Sequence, residues 1–183
     1  MSEGRRRDAV RSRQLLLEAA AGLFAERGFD RSTTREIGER AGVDPALIAR
    51  YFGGKAQLYL AVLDLDRAGA RPADLLEPER NRGLVSGVDL RGPGPIFRSA
   101  VDPLKEPGVR DAALEQLQWR LVDPLCERFT REGRDRPRLR AELAVAAFVG
   151  IVLCRHGGTL GALAGADPDE LVPLVLDMLG QGS

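Results

Sequence analysis

The sequence is poor in the residues that build catalytic and metal centres. Among 183 residues there is one histidine, His156, and two cysteines, Cys126 and Cys154, which stand 28 positions apart with no further Cys or His at ligand spacing. That pattern speaks against a zinc site and against a disulfide framework, and makes a reduced, cytoplasmic setting the default. There is no G-x-S-x-G elbow and no complete phosphate-binding loop, because the "GGK" at 53–55 lacks the loop's first glycine and its Ser/Thr. The chain is therefore read as non-enzymatic, needing no cofactor and no metal. The arginine-rich N-terminus has no apolar core of signal-peptide length, and the longest apolar run, 143–154, is too short to cross a bilayer, so no membrane is expected. Net charge is missing too, since 27 Lys+Arg balance 27 Asp+Glu.

What is present is unevenly placed. Residues 1–60 carry eleven Lys/Arg against eight Asp/Glu, a surplus of three that the rest of the chain cancels. A hydrophobic content of 44% is enough for a real core. No strand pattern and no internal repeat occur, so the fold class expected is all-α: an N-terminal three-helix unit over 1–55, with 1–13 as a basic arm, and a helical unit over 56–183. Leu16, Ala19, Ala20, Leu23 and Phe24 recur at helical spacing up to Gly28. Thr33 with Glu36 reads as a capping box that starts a short second helix, and Gly42 permits the turn that ends it. Asp44 as N-cap and Pro45 at the first helical position start a third, and a fourth begins near Lys55 and runs to about Gly69. Ile37, Ala41, Val43, Ile48 and Phe52 are expected to face the first helix. Further on, the expectations are an irregular helix near 75–88, a short one over 96–104, a helix from Val109 to Phe129 kinked at Pro124, and helices over 137–157 and 167–179.

Two short helices joined by a glycine turn form a helix-turn-helix, whose second helix enters the DNA major groove. That geometry puts Asp44, Pro45, Ala46 and Leu47 at base edges, and Arg50 and Tyr51 at the backbone. Lys55 would set its ammonium and neighbouring N–H groups on one phosphate. The arginines Arg5, Arg6 and Arg7 are candidates for the minor groove.

The ordered set of an Ala/Phe helix ending in "RGF", a Thr-Thr opening, "IGERAGV" and "YFGGK" resembles the DNA-binding domain of the TetR family of bacterial transcription regulators over residues 14–60. The resemblance implies a homodimer on a palindromic double-stranded operator, released by a small-molecule effector bound in the C-terminal domain. By position it places Thr33, Thr34, Tyr51 and Lys55 among the DNA contacts, with Thr34, Tyr51 and Lys55 at phosphates and Arg35 within reach of a base. The closing segment from Ala147 resembles the last two helices of one group in that family. Asp44-Pro45-Ala46-Leu47 departs from the donor-rich recognition helices common in the family, so base reading would lean on thymine methyls, Arg35 and the arm.

In the C-terminal half, Phe97, Trp119, Cys126 and Phe148 are candidates for a ligand pocket, set against a simple core role. The small residues Ala147, Gly150, Cys154 and Gly158, with Leu171, Leu174, Val175 and Met178 of the last helix, are expected at the dimer interface, meeting their own copies in a four-helix bundle. The other readings are a transcriptional activator of the same fold and a partner-binding helical protein without specific DNA affinity. Salt-dependent DNA binding separates the last of these from a regulator.

Overall fold

The computed structural model describes residues 2–101 and 104–180, with the side chains of 2–6, 91 and 180 left undescribed. Those residues form helices and no strand. In order they are α1 (Ser2–Arg27), α2 (Thr34–Ala41), α3 (Ala46–Phe52), α4 (Lys55–Gly69), α5 (Pro78–Arg91), α6 (Gly94–Ser99), α7 (Pro107–Leu117), α8 (Asp123–Arg131), α9 (Pro137–His156), α10 (Gly161–Gly165) and α11 (Pro168–Gly180). A π-helical turn, Gln118–Val122, joins α7 to α8.

The N-terminal core is built on α1. Leu16, Ala20, Leu23 and Phe24 form its buried stripe and meet Ile37 of α2, Ile48 of α3 and Leu58, Tyr59 and Val62 of α4. Phe24, Phe29 and Tyr59 close a ring cluster, with Tyr59 edge-on to both phenylalanines at 5.0 and 5.2 Å between centroids. Burial pushes the Tyr59 phenol above its usual range. Helix α1 ends where Gly28, at φ 79°, turns the chain. The buried Ser32 hydroxyl then donates to the Gly28 carbonyl at 2.8 Å, which seals an otherwise unpaired helix end.

The second core lies among α5, the π turn, α8, α9 and α11, around Val85, Leu121, Leu125, Phe129, Val145, Phe148 and Val152. The two cores meet at α6, where Ile96 packs into the first and its neighbour Phe97 into the second. Helix α4 belongs wholly to the first core, which therefore runs past residue 55 and also takes in Val109 and Ala113 of α7.

Several sequence expectations change here. The basic arm is helical from Ser2 and continuous with α1. The irregular 75–88 segment is a regular helix starting at Pro78, an N-terminal position that proline's fixed φ suits. Phe52 is half-buried rather than core, with the Arg13 guanidinium 4.8 Å from its ring centroid. Pro124 does not simply kink a helix. It follows the π turn, which widens the ladder so that the missing proline N–H is absorbed.

Candidate nucleic-acid interface

The helix-turn-helix is defined by local chemistry. The Thr33 hydroxyl accepts from the Glu36 N–H at 3.2 Å, while the Thr33 N–H donates to Glu36 Oε2 at 2.9 Å, the expected capping box. The Thr33 hydroxyl and N–H hold the Glu36 carboxyl below its ordinary range, with a smaller contribution from Arg27, whose Nη1 lies 2.8 Å from Glu36 Oε1. Gly42, at φ 63°, turns the chain, and Val43 N–H returns to the Gly38 carbonyl at 3.0 Å. Asp44 Oδ1 then accepts from Ala46 N–H at 2.9 Å, a turn that leads into α3, but the helix starts at Ala46, so the N-cap position falls to Pro45 and not to Asp44 as expected.

The front of α3 is open to solvent at Asp44, Ala46, Ala49 and Arg50, whereas Pro45, Leu47 and Tyr51 are half-buried. Both Leu47 and Tyr51 touch the N-terminal core with part of their surface. On α2, Thr33 and Arg35 are exposed and Thr34 is half-buried. Arg35 Nε donates to Glu39 Oε1 at 2.8 Å across one helical turn. Being exposed and water-screened, that pair gives way to a phosphate or base at little cost. Arg7, Arg11 and Arg13 of α1 are exposed. Arg5 and Arg6 lie on the α1 backbone, and their side chains fall outside the described residues.

Lys55 is placed differently from the expectation. Its ammonium points back into the protein, donating to the carbonyls of Phe29 at 2.9 Å and Ser32 at 3.0 Å, with Nζ 4.1 Å from the Phe29 ring centroid. It ties the start of α4 to the α1–α2 loop. The physical reason is that this loop exposes carbonyls at the end of one element, where a cation is favoured. Lys55→Ala is thus expected to lower stability by about 1–3 kcal/mol, the scale of losing charge-assisted bonds, although the Phe29 carbonyl keeps the Ser32 N–H at 3.2 Å. Urea unfolding checks this, and a variant as stable as the parent would show the clamp to be incidental.

The sequence did not single out Gly38, yet its Cβ position lies 2.8 Å from Pro45 Cβ and from the Val43 carbonyl oxygen. A glycine inside a helix costs about 1 kcal/mol relative to alanine, and that alone marks a close approach. Arg40 was missed as well. It donates to Glu26 Oε1 at 2.5 Å, joining α2 to α1, and this bond holds the Glu26 carboxyl below its ordinary range. No local pattern announces a pair 14 residues apart.

The C-terminal candidates separate by environment. Phe97 and Phe148 are buried against one another, 6.2 Å between ring centroids, whereas Trp119 is half-buried under the Arg67 guanidinium and Cys126 is half-buried beside the second core. Phe97 borders a cavity whose walls include Arg120 but not Trp119, Cys126 or Phe148. Among the dimer candidates, Leu171 and Val175 are consumed inside the chain, packed in the second core, and Gly158 sits past the end of α9 at φ 66°. Leu174 and Met178 remain 68% and 54% exposed, and on α9 Leu143 is 62% exposed, with Ala147, Gly150 and Cys154 half-buried.

With this geometry in view, the comparisons are specific. The model for bacterial regulatory proteins of the tetR family matches residues 16–62, and that for the tetracyclin repressor-like C-terminal domain matches residues 82–181. The chain belongs to the TetR family. An HTH-type transcriptional repressor of Mycobacterium tuberculosis is 42% identical over 78 residues, which is 42% of this chain and 40% of that relative. This chain thus spans about two-fifths of that relative's length. The regulator BetI 2 of Chromohalobacter salexigens is 27% identical over 91% of this chain and 87% of its own. Among solved structures, a TetR-like transcriptional regulator from Rhodococcus sp. RHA1 superposes with a TM-score of 0.66 at 18% identity, covering 93% of this chain and 94% of its own. At that identity the likeness is one of fold. No helix among the described residues is long and apolar enough to cross a membrane.

Proposed function

We propose that the chain is a cytoplasmic, dimeric DNA-binding transcription regulator, acting as a repressor that a small-molecule effector releases from a pseudo-palindromic operator. The observation that carries this reading is the helix-turn-helix itself: a capped α2, a left-handed glycine turn, and an α3 whose exposed front projects from a core that fixes it. In such a frame the first turn of α3 reads bases and the flanking elements grip phosphates. Thr34, Tyr51 and Arg50 are assigned to phosphates, and Arg35 to a base edge. The opening N–H groups of α4 offer a phosphate the positive helix end, while the Lys55 ammonium holds the loop behind them. The names of the relatives favour repression, as does the resemblance.

Selection of bound sequences from random duplex DNA tests the proposal. The expected result is a two-fold symmetric site with half-sites about 34–36 Å apart, or a multiple of that. Recovery of no preferred sequence, together with an affinity insensitive to salt, would favour the partner-binding alternative instead. Within the selected site, Leu47→Ala is expected to shift preference at one base pair per half-site by about 1 kcal/mol if Leu47 meets a thymine methyl. Leu47 is half-buried, so a variant that loses stability while keeping its base preference would place it in the core alone.

A further inference from the structure

Two cavities lie where the two cores meet. The first, about 280 Å³, runs between α1, at Gly22 and Ala25, and α6, at Ile96 and Phe97. The second, about 330 Å³, opens beside the α4–α5 connection. Gly83, Leu84 and Arg120 belong to the walls of both. Arg120 projects from the π-helical turn, a feature that often marks a functional position.

The Arg120 guanidinium is only partly used by the protein. Nη1 donates to Asp66 Oδ2 at 2.7 Å, but Nε is buried and has no acceptor among the described residues. An unpaired buried N–H is costly, and arginine pairs best with a carboxylate through two parallel N–H groups. The second cavity adds Arg71 and Arg80 against the acid Glu79. The remaining walls of the first cavity include Val88, Pro95, Ile96 and Phe97, which suit an apolar body. Its volume lies near the bottom of the usual range for ligand sites, about 300–1,000 Å³, so the body is small.

We propose that this junction binds a small organic carboxylate, its acid group paired with the free edge of Arg120 and its chain or ring lying against α6. This rests on the reading of the chain as an effector-responsive regulator. Asp66 stays on Nη1 and shares the wall of the first cavity, so the one guanidinium serves both acids. The site also abuts the DNA-binding unit directly. The Gly22 Cβ position is 3.4 Å from the Arg40 guanidinium of α2, and Arg98 of α6 donates to the Ala25 and Glu26 carbonyls at 3.0 and 2.8 Å. A ligand wedged between α1 and α6 therefore bears on the joint that sets the helix-turn-helix.

The test uses the full chain with benzoate, phenylacetate and hexanoate, each beside its neutral amide, read by calorimetry and by thermal shift. At least one acid is expected to bind, with its amide weaker by about tenfold or more, the scale of a charge-assisted hydrogen bond. Arg120→Gln should lose the acid. Because that change also strips Asp66 of its partner, Gly83→Leu provides a second variant: Gly83 is exposed at the wall shared by both cavities and nothing lies within 4 Å of its Cβ, so a leucine there narrows their rim and leaves Arg120–Asp66 alone. Binding by no acid, equal binding of acid and amide, or unchanged binding by Gly83→Leu would overturn the proposal. DNA release separates it from the broader reading. An acid that binds at Arg120 without weakening operator binding confirms the site and removes this effector role, while release by a neutral compound with no acid bound keeps the effector reading and removes the site.

Discussion

Gly38→Ala is expected to destabilise the N-terminal unit by about 1–3 kcal/mol and to abolish specific DNA binding. The sign is the informative part. Alanine in place of glycine inside a helix ordinarily stabilises by up to about 1 kcal/mol, because glycine loses more backbone freedom on folding. At Gly38 a Cβ would lie 2.8 Å from the Val43 carbonyl oxygen and 2.8 and 2.9 Å from Pro45 Cβ and Cδ. None of these atoms is the end of a flexible side chain, so relief requires the whole turn to move away from α2. That turn also carries the bond from Val43 N–H to the Gly38 carbonyl and leads straight into α3. The recognition helix would shift as a body, which costs DNA contacts in addition to stability. Gly83→Ala is the matched control, since it lies inside α5 with open space around its Cβ and should be neutral or stabilising. Chemical denaturation of both variants, with DNA titrations, reads the contrast. A Gly38 variant that matches the control in both would show that the turn has slack.

Why some of this was legible in the sequence and some was not follows from the range of the interactions. The capping box at Thr33 and Glu36, the glycine turn at Gly42 and the start of α4 at Lys55 depend on residues within three or four positions of each other, and all are found as read. Phe24 and Ile37 announce their burial through helical periodicity alone. Helix α5 is harder because Gly83 and Gly87 break its apolar pattern, and it buries Val85 and Val88 in the second core with Leu84 partly packed against it. The direction of the Lys55 ammonium depends on two carbonyls 23 and 26 residues earlier, beyond any local pattern. The same holds for Leu171 and Val175. Their periodicity with Leu174 and Met178 marks an amphipathic helix, but whether a given apolar residue faces its own chain or a second copy is decided by the placement of α5 and α9. The sequence shows that apolar surface exists, and only the fold shows which part of it is left over.

That leftover surface carries the last expected result: Gly150→Arg yields a folded monomer whose specific DNA affinity falls by about 10²–10⁴-fold, the range over which linking two binding modules raises affinity. On α9, Leu139 and Leu143 are exposed, and Ala146 and Gly150 continue their line. On α11, Leu174 and Met178 are exposed, and a cavity of about 260 Å³ lined by Leu143, Ala147 and Met178 lies between the two helices. Contiguous apolar surface of this kind on the last helices is seldom left in water. A two-fold axis through it lets each patch meet its own copy, with the small residues on α9 permitting close approach. The substitution is a usable probe because no atom outside its own helix backbone lies within 4 Å of a Cβ at Gly150, so the arginine side chain leaves the helix into open space. Where thermal unfolding matches the parent, any loss of association comes from the partner side. A monomer retains one recognition helix and its phosphate contacts, so its binding to random DNA should persist while its preference for a two-half-site operator collapses. Sedimentation gives the oligomeric state, and titration of whole and half operators gives the affinity ratio. A variant that stays dimeric and binds the whole operator normally would move the interface away from α9.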